Sequence, residues 1–196
     1  MLKKTLLSLL FTTTALTSTA QLEHSVSVTG GFAYSGSGDM VGTVVEGAYS
    51  YYFDQWSLTG QIGRADFSGY RNGNVLTPDQ GIYDYVPAGR ITNYRTADVL
   101  AGYSKSFSNR KWNFIARVGP SLARVSSYFI DPTWQNDDYD VLDIGGVAEV
   151  GIGYTVFKTG TATLDFNLKA SGRNYINTND GYVRLSAGIT CRLYNQ

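Results

Sequence analysis

Charged side chains recur at alternate positions inside segments that otherwise carry apolar or small residues. In a β-strand such positions all face one side, so the charges would meet in a confined space. A buried charge is stable only when an opposite charge faces it. The alternation therefore predicts an internal salt-bridge network, with a narrow ion path or gate as the functional alternative. Its members are Glu46, Asp98, Arg117, Glu149, Asp165, Lys169 and Arg184.

Three of these residues, Arg117, Glu149 and Lys169, are predicted to form one charge cluster. A short turn at 158–160 would place Glu149 about opposite Lys169 on the next strand. Pairing across the connection near Pro132 would bring Arg117 to the same carboxylate. Removal of the Glu149 carboxylate would leave the two buried cations without their shared partner.

Nucleophilic catalysis would need a base within reach of a serine or cysteine. The chain has one histidine, His24, and Ser25 and Ser27 lie close to it in sequence. Their spacing gives no arrangement of base, nucleophile and carboxylate, so His24 is interpreted as a residue at the rim of the fold. The single cysteine, Cys191, falls on an apolar face and is interpreted as a small packing residue. The sequence thus predicts a protein without enzymatic activity or cofactor.

An acidic segment near the middle of the chain is the candidate for metal binding. Carboxylates at this density could hold a hard cation such as calcium. Their spacing matches no calcium-loop consensus, and the central glycine of an EF-hand is missing. We expect a solvated acidic loop and no metal site. The carboxylates are those of Asp131, Asp137, Asp138, Asp140 and Asp143.

Two polar segments, at about 68–93 and 128–140, are rich in tyrosine, asparagine, glycine and aspartate. This composition is typical of binding surfaces, since tyrosine and tryptophan offer large, rigid contact areas. It is also ordinary for loops that fold over the end of a β-structure. The candidate binding residues are Tyr70, Arg71, Tyr83, Tyr85, Tyr128, Phe129, Trp134 and Tyr139.

Eight segments of alternating apolar and small or polar residues are predicted to carry these side chains as β-strands. The links at 54–55, 108–111 and 158–160 are short, whereas those after the third, fifth and seventh segments are long and polar. This rhythm is typical of transmembrane barrels. The predicted fold is all-β, an eight-stranded antiparallel up-and-down transmembrane β-barrel. Strands are expected at about 22–34, 40–53, 56–67, 94–107, 112–124, 141–157, 161–171 and 181–194.

Residues 1–20 have the features of a signal peptide that is cleaved during export. Lys3 and Lys4 form its basic region, an apolar stretch follows, and 18–20 supply small residues before the cut. The barrel domain is then 21–196, with 14 basic and 16 acidic residues once the two lysines are removed. This slightly acidic balance argues against nucleic acid as a partner. No apolar run long enough for a transmembrane helix follows the signal.

The alternation alone fits either a membrane barrel or a soluble sandwich or lipocalin-like barrel. Aromatic residues at both strand ends favour the membrane, where ring side chains prefer the bilayer interfaces. The small residues of the polar face suit the cramped interior of an eight-stranded barrel. The aromatic residues are Tyr51, Phe53, Trp56, Tyr103, Phe107, Trp112, Tyr154, Phe157 and Tyr194 near the short turns, and Phe32, Tyr34, Phe67, Tyr94, Tyr128, Phe129, Tyr175 and Tyr182 near the long loops.

With these features the chain resembles small outer-membrane β-barrel proteins of the OmpA-like class, over essentially all of 22–194. The end of the signal, 19–21, also resembles that of exported Bacteroidota proteins. The resemblance implies a monomeric, multi-pass barrel in the outer membrane of a Gram-negative cell, in contact with its lipid and lipopolysaccharide. Both chain ends would then lie in the periplasm.

Three functions follow as hypotheses. The favoured one is a structural or surface-binding barrel with a plugged polar lumen, acting through its long extracellular loops. The alternative is an accessory subunit of a larger outer-membrane complex, with an envelope protein as partner. A lipid-modifying enzyme is the least favoured: the palmitoyltransferase and deacylase that this architecture resembles need a histidine near the outer surface, and His24 would lie on the periplasmic side.

Overall fold

The computed structural model describes residues 23–36, 40–76, 83–107, 111–129 and 139–194, so the predicted signal peptide lies outside the described residues. For 70–76, 83–88 and 129 the description is of the backbone. The strands are β1 (Glu23–Ser35), β2 (Met40–Phe53), β3 (Trp56–Leu76), β4 (Tyr83–Ser106), β5 (Trp112–Phe129), β6 (Tyr139–Lys158), β7 (Ala162–Tyr175) and β8 (Gly181–Tyr194).

The eight strands form one closed antiparallel sheet. Each strand pairs with its neighbours in sequence, and β1 pairs with β8, where Val28 lies beside Ile189. Closure leaves no open edge in the wall, so backbone groups can pair with one another without water. The predicted fold class is confirmed.

Apolar side chains cover the outside of the barrel. Ile62 and Leu185 are each 69% exposed, and Val118 is 63% exposed. Serine, threonine, glycine and charged residues occupy most of the alternate, inward positions. A soluble barrel would turn its apolar face to the core, so this exterior is that of a barrel surrounded by lipid. Within the described ranges, no helix has the length and hydropathy needed to cross a membrane.

The aromatic residues at the two ends of the barrel behave differently. At the short-turn end, Trp56 and Trp112 face outward as predicted, and at the other end Phe32 and Tyr34 also face outward. Four predicted members of the second belt instead point into the lumen and are at most 2% exposed, so the prediction was wrong for them. The parity of a position, and not its closeness to a strand end, decides which face it joins. The four are Phe67, Tyr94, Tyr175 and Tyr182.

β6 and β7 pair in a register that differs from the expected one. Glu149 lies beside Ser171 and not beside Lys169. The turn covers 159–161, and the last β6–β7 pair is Lys158 with Thr163, later than predicted; a bulge in β6 then moves the register back by one residue. Because the net shift is even, the side chains of Glu149 and Lys169 still point to the same, inward face.

The segment predicted as the second long loop is largely a β-hairpin. β3 and β4 remain paired out to Leu76 and Tyr83. β2 pairs with β3 only as far as Gly69, and β5 pairs with β4 only from Arg90. Seven residue pairs, Tyr70–Leu76 with Tyr83–Gly89, therefore continue beyond the wall, and we call them the projecting hairpin. Among the described residues, no strand pairs with either of its outer edges.

Two inward glycines let neighbouring strands approach closely. A Cβ atom at Gly31 would overlap the carbonyl oxygen of Leu185, and one at Gly119 would overlap that of Val99. Both obstacles are backbone atoms, which cannot rotate away as a flexible side chain can. Glycine at these positions therefore permits the tight wall of a small barrel.

Candidate functional site

Eleven charged residues of the described part of the chain are buried inside the barrel, each at most 8% exposed. They include all seven charged residues singled out from the sequence. Arg90 and Asp143 lie toward the long-connection end, and the other nine form what we call the central network. Its members are Glu46, Asp98, Arg117, Glu149, Asp165, Lys169, Arg173, Arg184 and Arg192.

Glu149 is the shared acceptor of three cations. Its Oε1 atom lies 3.1 Å from Arg117 Nη1 and 3.3 Å from Lys169 Nζ, and its Oε2 atom lies 3.2 Å from Arg184 Nη2. Arg117 is the direct cross-strand neighbour of Glu149. The structure thus brings together the three residues expected to cluster and adds Arg184 to them.

Arg173 holds a second pair of carboxylates. Its Nη2 atom lies 2.6 Å from both Glu46 Oε1 and Asp98 Oδ2. Arg184 also forms an ion pair with Glu46, so it connects this group to Glu149. Ser121 donates a hydrogen bond of 2.6 Å to Asp98 Oδ1. Each carboxylate therefore has more than one donor.

A third group lies nearer the short turns, around Asp165. Arg192 Nε lies 2.8 Å from Asp165 Oδ2, and Thr155 donates a hydrogen bond of 2.7 Å to Oδ1. The guanidinium of Arg192 also stacks over the Tyr52 ring, 5.5 Å from its centroid. Glu23, at the rim, lies 3.5 Å from Arg192 Nη1. With Glu23 included, five carboxylates face the five cations of the network, which balances the charge of this region.

Sequence reasoning missed Arg173 and Arg192. The predicted seventh strand ended at Ser171, but β7 continues to Tyr175, and Arg173 has the same inward parity as Ser171. Arg192 lies on the inward face of β8, where its parity was a sufficient signal. Parity extended to the full strand length would therefore have found both.

An aromatic layer lies inside the lumen on the long-connection side of the network. Tyr94 packs against Phe67, Tyr175 and Tyr182 with ring centroids 5.6, 5.7 and 5.1 Å away. The Tyr94 hydroxyl donates a hydrogen bond of 2.9 Å to Asp180 in the β7–β8 connection. The guanidinium of Arg173 lies 5.4 Å from the Tyr182 ring centroid, so the layer contacts the network directly.

Two residues of the predicted acidic loop have defined roles. Asp143 points inward and accepts hydrogen bonds from the backbone amides of Asn177 and Thr178, at 2.9 and 2.7 Å, which fixes the β7–β8 connection over the barrel. Asp140 points outward and forms an ion pair of 2.6 Å with Arg124. Asp131, Asp137 and Asp138 lie outside the described residues. In the described ranges, no cluster of three or more His, Cys, Asp or Glu residues has metal-binding geometry.

Of the predicted loop-binding residues, the side chains of Tyr128 and Tyr139 are described, and they lie on opposite faces of the barrel wall. Tyr70, Arg71, Tyr83 and Tyr85 belong to the projecting hairpin, where the backbone is described, and Phe129 is the last residue of β5. Tyr128 faces outward, whereas Tyr139 faces inward beneath the Arg90 guanidinium at 5.2 Å. Trp134 lies outside the described residues.

His24 is separated from its neighbouring serines by the wall of the barrel. Its Nδ1 atom is 2.5 Å from the Tyr49 hydroxyl on the outer face, while Ser25 and Ser27 are buried on the inner face. Cys191 is exposed on the outer face. These positions do not form a base and nucleophile pair, which needs direct hydrogen-bond reach.

Comparison with solved structures finds small outer-membrane barrels. Neisserial surface protein A shares 16% identity and a TM-score of 0.50, over 89% of this chain and 97% of that one. The N-terminal β-barrel domain of Pseudomonas aeruginosa OprF shares 11% identity and a TM-score of 0.51, over 87% and 98%. Ail of Yersinia pestis shares 12% identity and a TM-score of 0.49, over 88% of this chain and 99% of that one. No family model matches the sequence, and no curated protein does.

At these identities the likeness concerns the fold alone. This chain shares its fold with Neisserial surface protein A and the OprF barrel domain, and the outward apolar face of the closed sheet supplies the independent evidence for a lipid surround. The shared fold and the apolar exterior together locate the protein in a membrane. The chain is an integral β-barrel of the cell outer membrane.

Proposed function

We propose that this barrel is a non-conducting, non-enzymatic anchor that presents the projecting hairpin at the cell surface for binding. The observation that carries the proposal is the seven-pair extension of β3 and β4 beyond the wall. At about 3.3 Å per residue, it reaches roughly 20 Å past the last pair shared with a neighbouring strand. A lone two-stranded ribbon is marginally stable, which favours its use as a template for another chain.

The β3 edge of the hairpin is the better template for an added strand. Pro87 lies opposite Asn72 and has no N–H to donate. This pair is therefore a non-hydrogen-bonded one, so the N–H and C=O of Asn72 point to the free edge. The β4 edge lacks one donor at Pro87, whereas the β3 edge can offer donors at 70, 72 and 74. An extended segment of a partner protein could pair with this edge.

The side chains buried in the lumen support the non-conducting part of the proposal. The aromatic layer and the central network occupy successive levels of the barrel, and eight strands enclose little more than side chains. We expect the purified protein in planar bilayers to show no steady current above background, and Glu149→Gln to behave alike. A cation-selective current in the wild type that Glu149→Gln abolishes would instead make the protein a channel.

Two matched proline variants test the binding edge. Asn72→Pro removes an outward donor from the β3 edge, and Tyr85→Pro removes one from the β4 edge. The two variants and the wild type are expressed in cells, extracted in mild detergent and compared by quantitative pull-down and mass spectrometry. We expect proteins recovered with the wild type and with Tyr85→Pro to be lost with Asn72→Pro. Equal recovery with all three would contradict the hairpin as the binding element and favour lateral docking as an accessory subunit.

A further inference from the structure

Three arginines form a row on the outer wall. Arg64 on β3 pairs in register with Arg95 on β4, and Arg95 pairs with Arg124 on β5. All three side chains face outward and are exposed. Cβ atoms of directly paired residues are about 5 Å apart, so the row spans about 10 Å across three strands.

The row marks the end of the apolar exterior on all three strands. From Trp56 along β3, Tyr103 along β4 and Trp112 along β5, the outward residues are apolar, aromatic or glycine until the arginine. Each arginine is thus the first charged outward residue beyond its strand's lipid-facing run. The row therefore lies at the level where acyl chains give way to headgroups, on the side of the long connections.

The charges of the row are not balanced by the protein. Asp66 accepts both of its contacts from Arg64 Nε, at 2.8 and 2.9 Å, which leaves the two Nη groups of Arg64 available. Asp140 accepts from Nε and Nη2 of Arg124, which leaves Nη1 available. Arg95, the central member, forms no hydrogen bond or ion pair with the described residues. Three guanidinium groups thus face two carboxylates.

Like charges at directly paired positions of a sheet destabilise one another, so this arrangement favours an anion from outside the chain. Guanidinium forks match phosphate oxygens in geometry and form short, charge-assisted hydrogen bonds with them. We propose that Arg64, Arg95 and Arg124 bind a phosphate group of an acylated outer-leaflet lipid, of the kind that lipid A carries in lipopolysaccharide. The acyl chains would lie along the apolar wall directly beneath the row. This inference depends on insertion of the barrel in the outer membrane and not on what the hairpin binds.

Binding of defined lipids to the folded, full-length mature barrel tests the proposal. The probes are bisphosphorylated lipid A, fully dephosphorylated lipid A and inorganic phosphate, each titrated in zwitterionic micelles and read by native mass spectrometry. The variants are Arg64→Gln/Arg95→Gln/Arg124→Gln and Arg95→Lys. The control is Lys105→Gln, because Lys105 is the first charged outward residue at the opposite end of β4. Heat-modifiable migration on gels verifies that every variant is folded.

We expect the triple variant to bind bisphosphorylated lipid A at least about tenfold more weakly than the wild type. This is the decrease in affinity that follows from loss of one charge-assisted hydrogen bond. Lys105→Gln should bind as the wild type does. Arg95→Lys should lose part of the affinity, because it keeps the charge but not the fork. Equal binding of dephosphorylated lipid A, or an unaffected triple variant, would overturn the proposal. Displacement of lipid A by an equal concentration of inorganic phosphate would show a free-phosphate site and would overturn the lipid assignment.

Discussion

Replacement of Glu149 by glutamine is expected to lower the free energy of unfolding of the barrel by about 3–5 kcal/mol. Glu149 is the acceptor of ion pairs from Arg117, Lys169 and Arg184 at 3.1 to 3.3 Å. Arg184 keeps Glu46 as a partner, but among the described residues Arg117 and Lys169 form ion pairs with Glu149 alone. The variant therefore leaves two buried cations uncompensated. Urea titration of the protein refolded into lipid vesicles, followed by tryptophan fluorescence, measures the change.

An exposed ion pair provides the matched control. Asp66→Asn removes the partner of Arg64 on the outer face, where the two side chains are 41% and 59% exposed. Exposed pairs contribute about 0–1 kcal/mol, since solvent screens both charges. A loss with Asp66→Asn as large as that with Glu149→Gln would show that burial is not the cause.

An apolar replacement of Arg117, Glu149 and Lys169 tests whether the barrel needs these charges for its stability or only needs them to be paired. In Arg117→Met/Glu149→Leu/Lys169→Met, the side chains remain similar in volume but need no desolvated partners. Buried ion pairs replaced in this way often leave stability unchanged or increased. We therefore expect the triple variant to be clearly more stable than Glu149→Gln. A triple variant at least as unstable as the single one would contradict this account.

The inward charges could be predicted because parity along a strand is independent of exact register. Glu149 and Lys169 were expected to face each other directly, and the structure places them two residues apart on the same face. A turn of different length and a bulge produce this offset, and neither has a distinctive sequence signal here. An error of an even number of residues in the register leaves each side chain on the same face, so the prediction of a shared face remains correct.

The projecting hairpin could not be predicted by the same pattern. Alternation arises because one face of a strand meets lipid and the other meets the lumen. Beyond the wall a strand no longer separates lipid from lumen, so the pattern gives no signal there, and the stretch from Tyr70 to Leu76 has the composition of a loop. The inward tyrosines were missed for a related reason: an aromatic residue near a strand end fits either an interface belt or a packed lumen.

Replacement of Tyr182 by alanine is expected to destabilise the barrel by about 3–5 kcal/mol, the usual range for loss of a large buried ring. Tyr182 is 2% exposed and packs against Phe67 and Tyr94 with centroids 5.4 and 5.1 Å away. Its removal leaves a cavity beside the guanidinium of Arg173, which loses a cation–π contact. Tyr34→Ala is the control, because Tyr34 faces outward near the same end of the barrel and is 52% exposed. Urea titration in vesicles should give a clearly smaller loss for Tyr34→Ala.

Tyr182→Ala also tests separately the two levels of side chains in the lumen, the aromatic layer and the central network. The central network lies on the short-turn side of the aromatic layer, and its ion pairs around Glu149 and Asp165 are formed without the Tyr182 ring. We therefore expect Tyr182→Ala to remain at background current in planar bilayers despite its lower stability. A steady current in this variant would mean that the aromatic layer alone seals the barrel and that the charges beneath it line an open path. The network would then be the wall of a conduit, and Glu149, with its three cations, would set the ion selectivity of that conduit.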